Sequence, residues 1–263
     1  MSNFDRNAPV WGAARAQQTS AVEMDQGLRS FMLGVYNNMV IGLAISALSA
    51  LGVNKLAIAA DQASAAARIG QSIYLTEFGK LLYGTPLMWV VALAPLAFIF
   101  FFSFRMDRMS AASARTMFFV FSAVMGLSLS TLLIRYTGAS VVQVFFITAA
   151  TFGGLSLYGY TTTKSLSGIG SFLIMGLIGL VIASLVNIFL ASSALSFAIS
   201  VIGVLVFAGL TAWDTQRLKE MYLYSDLGPE EAAKLSVNGA LSLYLNFVNM
   251  FQMLLSLFGN RNQ

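Results

Sequence analysis

Long stretches without a charged residue constrain this chain most. From Ser165 to Trp213 there are 49 residues with no Asp, Glu, Lys or Arg. A helix that crosses a bilayer needs about 20 apolar residues, so this stretch fits two helices joined near Ser192 and Ser193. By the same criterion the whole chain predicts seven spans, at residues 31–53, 84–104, 116–134, 140–160, 169–191, 195–214 and 238–258.

The composition places the chain among membrane proteins. Hydrophobic residues make up 57% of it and charged residues only 10%, with a mean hydropathy of +0.76. In lipid, only helices and closed barrels satisfy every backbone hydrogen bond, and barrel strands alternate apolar with polar residues. The runs here are continuous. We therefore predict an all-α membrane protein, with one seven-helix transmembrane domain at residues 31–263.

The first 30 residues are expected to form a cytoplasmic tail. They lack the apolar segment of a cleavable signal peptide, and they mix charges of both signs: Arg6, Arg15, Arg29, Asp5, Glu23 and Asp25.

Orientation is predicted from the distribution of Lys and Arg. If the N-terminus is inside, ten of these residues lie on cytoplasmic segments and five outside, which favours a cytoplasmic N-terminus and an external C-terminus. The loop at 54–83 carries three of the five outside charges. The net charge of +4 is therefore mostly a signal of topology. It is no evidence for nucleic-acid binding, which needs a clustered basic face.

The absence of Cys and His excludes several classes of protein. There is no thiol nucleophile, no disulfide and no imidazole for metal binding or for a Ser/His protease. A retinal protein would need a lysine in the last helix, and none lies between Lys234 and the C-terminus. An intramembrane aspartyl protease needs two acids, whereas Asp214 is the one acid within the predicted spans. We expect no enzymatic activity and no cofactor.

The last predicted span has a polar face. At about 100° per residue, its amides and hydroxyls fall within an arc of about 120°. Lipid cannot hydrogen-bond to these groups, so this face should point into protein or a wet cavity. The helix is therefore predicted to be central, and its polar face is either a contact strip between helices or a lining for water or ions. The residues are Asn238, Ser242, Asn246, Asn249, Gln252 and Ser256.

Asp214 ends the sixth predicted span. An acid at the edge of an apolar helix is a candidate for function. The alternative is that Arg217, three residues on, pairs with it on the helix surface, so that Asp214 only marks the membrane boundary.

Two C-terminal segments carry a family resemblance. Residues 207–218 read FAGLTAWDTQRL, and residues 243–251 read LYLNFVNMF, followed by the ending LFGNR at 257–261. With Tyr36 to Gly42 and the YGYTT at 158–162, they resemble the Bax inhibitor-1 family of transmembrane proteins. The resemblance covers all seven predicted spans, and the short sequence and its ending resemble the bacterial branch.

The resemblance implies a fold and a function. Six helices would surround the seventh, and the protein would be a pH-sensitive calcium leak channel of the bacterial inner membrane. In such relatives two carboxylates, one on each of the sixth and seventh helices, share a proton and close the pore. Asp214 matches the first carboxylate and Asn246 the second, while Arg105 matches an arginine that latches onto the pair.

Asn246 departs from the family pattern because it is not an acid. An Asp–Asn pair has no like-charge repulsion, and the amide can donate a hydrogen bond that favours the charged form of Asp214. We therefore predict a pH gate that is weaker or shifted relative to a two-acid relative. The alternative function is a non-transporting membrane protein that modulates a membrane protease or a stress response.

The two residues differ in predicted depth. Asn246 lies about 18 Å of helix beyond Lys234, whereas Asp214 lies about 7.5 Å before Lys219. They can meet only if the last helix extends into the cytoplasm or the sixth helix is steeply placed.

Overall fold

A computed structural model describes residues 8–61, 65–69, 73–105 and 108–262. Helices account for most of these residues, and a small pair of strands lies between the first two helices. The elements are α1 (Ala8–Ala57), β1 (Ala67–Ile69), β2 (Ile73–Leu75), α2 (Glu77–Gly84), α3 (Leu87–Arg105), α4 (Ala111–Arg135), α5 (Gly138–Thr161), α6 (Ser167–Leu190), α7 (Ser193–Tyr224) and α8 (Pro229–Phe258).

Hydroxyl side chains start several of these helices. Ser110, Thr137 and Ser192 each accept a hydrogen bond from the backbone N–H three residues on, which satisfies a donor that the first turn leaves unpaired. Between α6 and α7, Ala191 adopts a left-handed conformation with φ 48°. The predicted break near Ser192 and Ser193 is thus confirmed, and α6 and α7 form a helical hairpin.

Six helices of the described residues are long and apolar enough to cross a membrane: α1, α4, α5, α6, α7 and α8. A seventh span exists only if α2 and α3 are taken together, and these two helices are bent by 66° at their junction. The predicted second span, 84–104, was expected to be one helix. The break falls at Thr85 and Pro86, because proline lacks the N–H that would continue the ladder and disfavours a helical residue before it.

Helix ends differ from the predicted span ends. α1 begins at Ala8, so the boundary predicted at residue 30 lies within a helix. α7 runs to Tyr224, beyond the predicted end at 214, and α8 begins at Pro229 and continues unbroken into the last span. Charged residues mark where a helix leaves the apolar layer, but Arg, Lys and Glu are good helix formers and do not end it.

The segment at 54–83 holds a feature that the sequence did not indicate. β1 and β2 pair antiparallel, with Arg68 opposite Tyr74, and α2 follows. Leu75 and Leu82 bury their side chains against Ala57 and Ile134 in a small cluster at this end of the bundle. The hydroxyl of Tyr83 lies 2.7 Å from that of Ser130, which fixes the segment to α4.

α8 is the most enclosed of the six long helices. In its most apolar window 56% of residues are buried, against 11–39% for the other five. It packs against α1, α4, α5 and α7, and its side chains at Leu243, Tyr244, Met250 and Leu255 are wholly buried.

Segments predicted on the same side of the membrane meet in space. At one end, the backbone N–H of Ala111 donates to the carboxylate of Glu230 at 2.6 Å. At the other end, Thr137 N–H donates to the carbonyl of Asn260 at 2.9 Å. The relative arrangement agrees with the predicted topology, and which end faces the cytoplasm stays a prediction.

Candidate functional site

Asp214 of α7 and Asn246 of α8 are in direct contact. The side-chain amide of Asn246 donates a hydrogen bond of 2.7 Å to Oδ2 of Asp214. Asn246 is buried, with 6% of its surface exposed, whereas Asp214 is partly exposed. The carboxylate is therefore held by a donor from the most enclosed helix.

α7 packs closely against α8, so Asp214 and Asn246 lie at the same height along the two helices. Gly239 of α8 faces Leu218 of α7, and Gly203 of α7 faces Met253 of α8. Small residues let helix backbones approach closely in a membrane protein. Because both helices extend past the predicted membrane edge, the difference in predicted depth does not prevent the contact.

A chain of hydroxyl groups begins at Thr215, the residue after Asp214. Tyr36 of α1 is 2.6 Å from Ser156 of α5, which is 3.0 Å from Thr215, the neighbour of Asp214. The Thr215 hydroxyl donates its one hydrogen to the carbonyl of Thr211 at 2.8 Å, so Ser156 donates to Thr215 and Tyr36 donates to Ser156. The chain connects α1, α5 and α7 next to Asp214.

Arg105 does not join the pair. Its guanidinium lies 5.6 Å from the ring centre of Phe101, on its own helix, and it is exposed. Within the described part of the chain it forms no ion pair with Asp214. Arg217, the alternative partner, lies with its guanidinium 5.3 Å from the ring centre of Trp213, and it forms no ion pair with Asp214 among the described residues.

The polar face of α8 is not uniformly enclosed. Asn238 is exposed, and Ser242, Asn249 and Gln252 are partly buried. Asn249 donates to the carbonyl of Leu245 on its own helix at 2.8 Å, so its amide is satisfied without a partner helix. Asn246 is the buried residue among these polar side chains, and it contacts Asp214 of α7.

The sequence did not single out Ser156 or Thr215. A polar residue within an apolar span was the available signal, since a buried hydroxyl needs a partner. That signal does not name the partner: Tyr36 and Ser156 are 120 positions apart, and only the packing of the helices brings them together.

The site can hold one negative charge near an amide and hydroxyl groups. In the described residues, no group of three or more His, Cys, Asp or Glu side chains could hold a metal ion. Ca²⁺ prefers six to eight oxygen ligands. A single carboxylate with amide neighbours can therefore attract a cation but would hold it only weakly.

Comparison with known proteins identifies the family. The family model described as "Inhibitor of apoptosis-promoting Bax1" matches residues 28–263. The chain belongs to this family of membrane proteins.

Relatives match over nearly the whole chain. A protein of Caulobacter vibrioides is 44% identical over 100% of both chains. The protein RP147 of Rickettsia prowazekii is 42% identical, covering 90% of this chain and 92% of its own. The inner membrane protein YbhL of Escherichia coli K12 is 41% identical, covering 92% of this chain and 96% of its own. The predicted Bax inhibitor resemblance is thus confirmed for essentially the full length.

Proposed function

We propose that this protein is a bacterial inner-membrane cation leak that passes Ca²⁺ slowly along the interface of α7 and α8. In the proposed arrangement α2 and α3 together form one span, six spans surround α8, and the N-terminus is cytoplasmic. Asp214 attracts the cation, and Asn246 holds the carboxylate in place. The proposal assigns no catalytic activity and no cofactor.

The hydrogen bond between Asn246 and Asp214 carries the proposal. A carboxylate within an apolar helix is costly, and it is retained where it faces protein or a polar path. Here the carboxylate of Asp214 faces α8, the most buried helix. The hydroxyl chain that joins α1, α5 and α7 includes Thr215, the next residue. The name of the relative YbhL, an inner membrane protein, supports the proposed location.

The packed interface supports a closed state. A cavity of about 800 Å³ reaches Phe247 of α8 but is lined by neither Asp214 nor Asn246. In the proposed mechanism a cation passes when α7 moves relative to α8. Such a movement would break the Asp214–Asn246 bond and also the hydrogen bond from Ser200 of α7 to Ser256 of α8.

Calcium efflux from liposomes tests the proposal. Purified protein is reconstituted into calcium-loaded liposomes, and efflux is compared with protein-free liposomes, with Asp214→Asn and with Asp226→Asn. Asp214→Asn keeps the shape and removes the charge. Asp226 is an exposed acid in the α7–α8 loop without a hydrogen bond or ion pair among the described residues, so it serves as the control.

We expect the protein to raise efflux above the protein-free rate. Asp214→Asn should lower the added flux roughly tenfold, as expected when a focusing charge is lost, and Asp226→Asn should leave it unchanged. Equal flux in the two variants would contradict the role of Asp214. No flux from any form would overturn conduction and favour the alternative, a non-transporting protein that modulates a membrane protease or a stress response.

A further inference from the structure

A deep crevice separates α1 from α5. Its volume is about 800 Å³, and it is open along one side. Its walls are mostly apolar side chains: Met39 and Leu43 of α1, Phe145, Ala149 and Phe152 of α5, and Phe247 of α8 at the back. The rings of Phe145 and Phe152 lie edge-on to that of Phe247, with centres 5.5 and 5.6 Å apart.

The crevice runs along most of a membrane span. Its lining residues on α1 extend from Arg29 to Ala47, which is about 27 Å of helix and close to the thickness of the hydrocarbon layer. α1 and α5 hardly touch, and the hydrogen bond between Tyr36 and Ser156 joins them in the half of the crevice that contains Arg29. The apolar part of the crevice therefore faces acyl chains.

The polar groups of the crevice gather at this same end. Arg29, Tyr36, Ser156 and Tyr160 line it there. Arg29 is exposed and has no ion pair in the described part of the chain, although Asp25 lies one turn before it. A second cation is close, since Lys219 donates to the carbonyl of Tyr160 at 2.8 Å.

From this distribution we propose that the crevice binds an anionic phospholipid, with its acyl chain between α1 and α5 and its phosphate beside Arg29. An apolar channel with cationic and hydroxyl groups at one end matches a molecule with an apolar tail and an anionic head. The guanidinium of Arg29 and the hydroxyl of Tyr160 can donate hydrogen bonds to phosphate oxygens, whereas the hydroxyls of Tyr36 and Ser156 already donate within the protein. The volume lies within the range of small-molecule sites, about 300–1,000 Å³.

The headgroup charge distinguishes this occupant from ordinary boundary lipid. Lipid tails are as apolar as the walls, so tail contact alone gives little preference. A basic residue near the bilayer surface attracts an anionic lipid, and one such residue corresponds to about a fivefold preference. If a helix of a neighbouring protein molecule filled the crevice instead, the lipids retained by the protein would show no dependence on the headgroup.

Two adjacent glycines of α5 offer a matched pair of variants. A Cβ atom at Gly153 would meet no neighbouring atom within 4 Å, and a side chain there would enter the crevice, which Gly153 lines. A Cβ atom at Gly154 would also meet nothing, but Gly154 does not line the crevice. Gly153→Leu therefore fills the crevice, while Gly154→Leu adds the same group to the same helix outside it, with the same gain in helix propensity.

The experiment uses nanodiscs with equal amounts of phosphatidylglycerol and phosphatidylcholine of identical chains. The full-length protein is released in the mass spectrometer, and the lipids that stay bound are counted. We expect about fivefold more phosphatidylglycerol than phosphatidylcholine on the wild type and on Gly154→Leu. On Gly153→Leu, and on Arg29→Gln, the ratio should fall to about one.

A cation outside the crevice provides the last control. Lys164 is exposed in the loop after α5 and does not line the crevice, so Lys164→Gln should keep the wild-type ratio. Equal retention of both lipids by the wild type would overturn the proposal. So would equal loss in Gly153→Leu and Gly154→Leu, or an unchanged ratio in Arg29→Gln.

Discussion

The hydroxyl of Tyr244 on α8 lies 2.6 Å from that of Ser46 on α1. Tyr244 is wholly buried, and its ring stands edge-on to Phe118 and Phe121 of α4, with centres 5.6 and 5.8 Å away. Ser46 in turn donates to the carbonyl of Ser122 at 2.7 Å. One side chain thus fixes the central helix to two of its neighbours.

Removing this hydroxyl should weaken the bundle. Tyr244→Phe keeps the ring contacts and loses one buried hydrogen bond, which costs about 1 kcal/mol. In detergent micelles the Tm should fall by about 2–4 °C. Tyr224→Phe is the control, because Tyr224 is 85% exposed; a similar fall there would show that the contact of Tyr244 with Ser46 is not the cause.

Gly126 of α4 sets the distance between α4 and α1. A Cβ atom there would collide with the backbone carbonyl of Ser46 and with Ser49. Because backbone atoms cannot turn aside, Gly126→Ala should destabilise the protein by about 1–3 kcal/mol. Gly154→Ala, where a Cβ meets open space, should be neutral or slightly stabilising. The Tm values of Gly126→Ala and Gly154→Ala are compared by thermal unfolding. Equal Tm values would contradict the close approach of α1 and α4.

Single cysteines can test the orientation, since the chain has no native cysteine. Ser225→Cys lies in the loop between α7 and α8, and Asn260→Cys lies at the opposite end of the bundle; both positions are exposed. With a cytoplasmic N-terminus, an impermeant maleimide added to intact spheroplasts should label Asn260→Cys and spare Ser225→Cys until the cells are opened. The reverse pattern would overturn the predicted orientation.

Much of the helical architecture was predictable from uncharged length. The stretch from Ser165 to Trp213 has to fold as two helices in lipid, and it does. The bend between α2 and α3 was not predicted, although Pro86 is a local signal for it. The strands β1 and β2 were not predicted either, because their form depends on packing against the ends of α1 and α4, which no local pattern encodes.

The candidate site was only partly predictable. The polar face of α8 and the lone acid of α7 indicated Asn246 and Asp214, and the family resemblance indicated that they meet. The guanidinium of Arg105 instead lies over the ring of Phe101. At a helix end, a neighbouring ring and solvent can stabilise the charge of a guanidinium without a carboxylate partner. The crevice between α1 and α5 could not be predicted, since it is a space between two helices that are distant in sequence and barely touch.

The pH profile of calcium efflux shows whether Asn246 sets the pH response of the Asp214 site. Liposomes containing the wild type or Asn246→Asp are measured from about pH 5 to 8, the range in which a two-acid pair would titrate. Asn246 cannot share a proton with Asp214, so the account predicts a shallow profile for the wild type. Asn246→Asp should create a two-acid pair with a steeper or shifted profile, and superimposable curves would contradict the account.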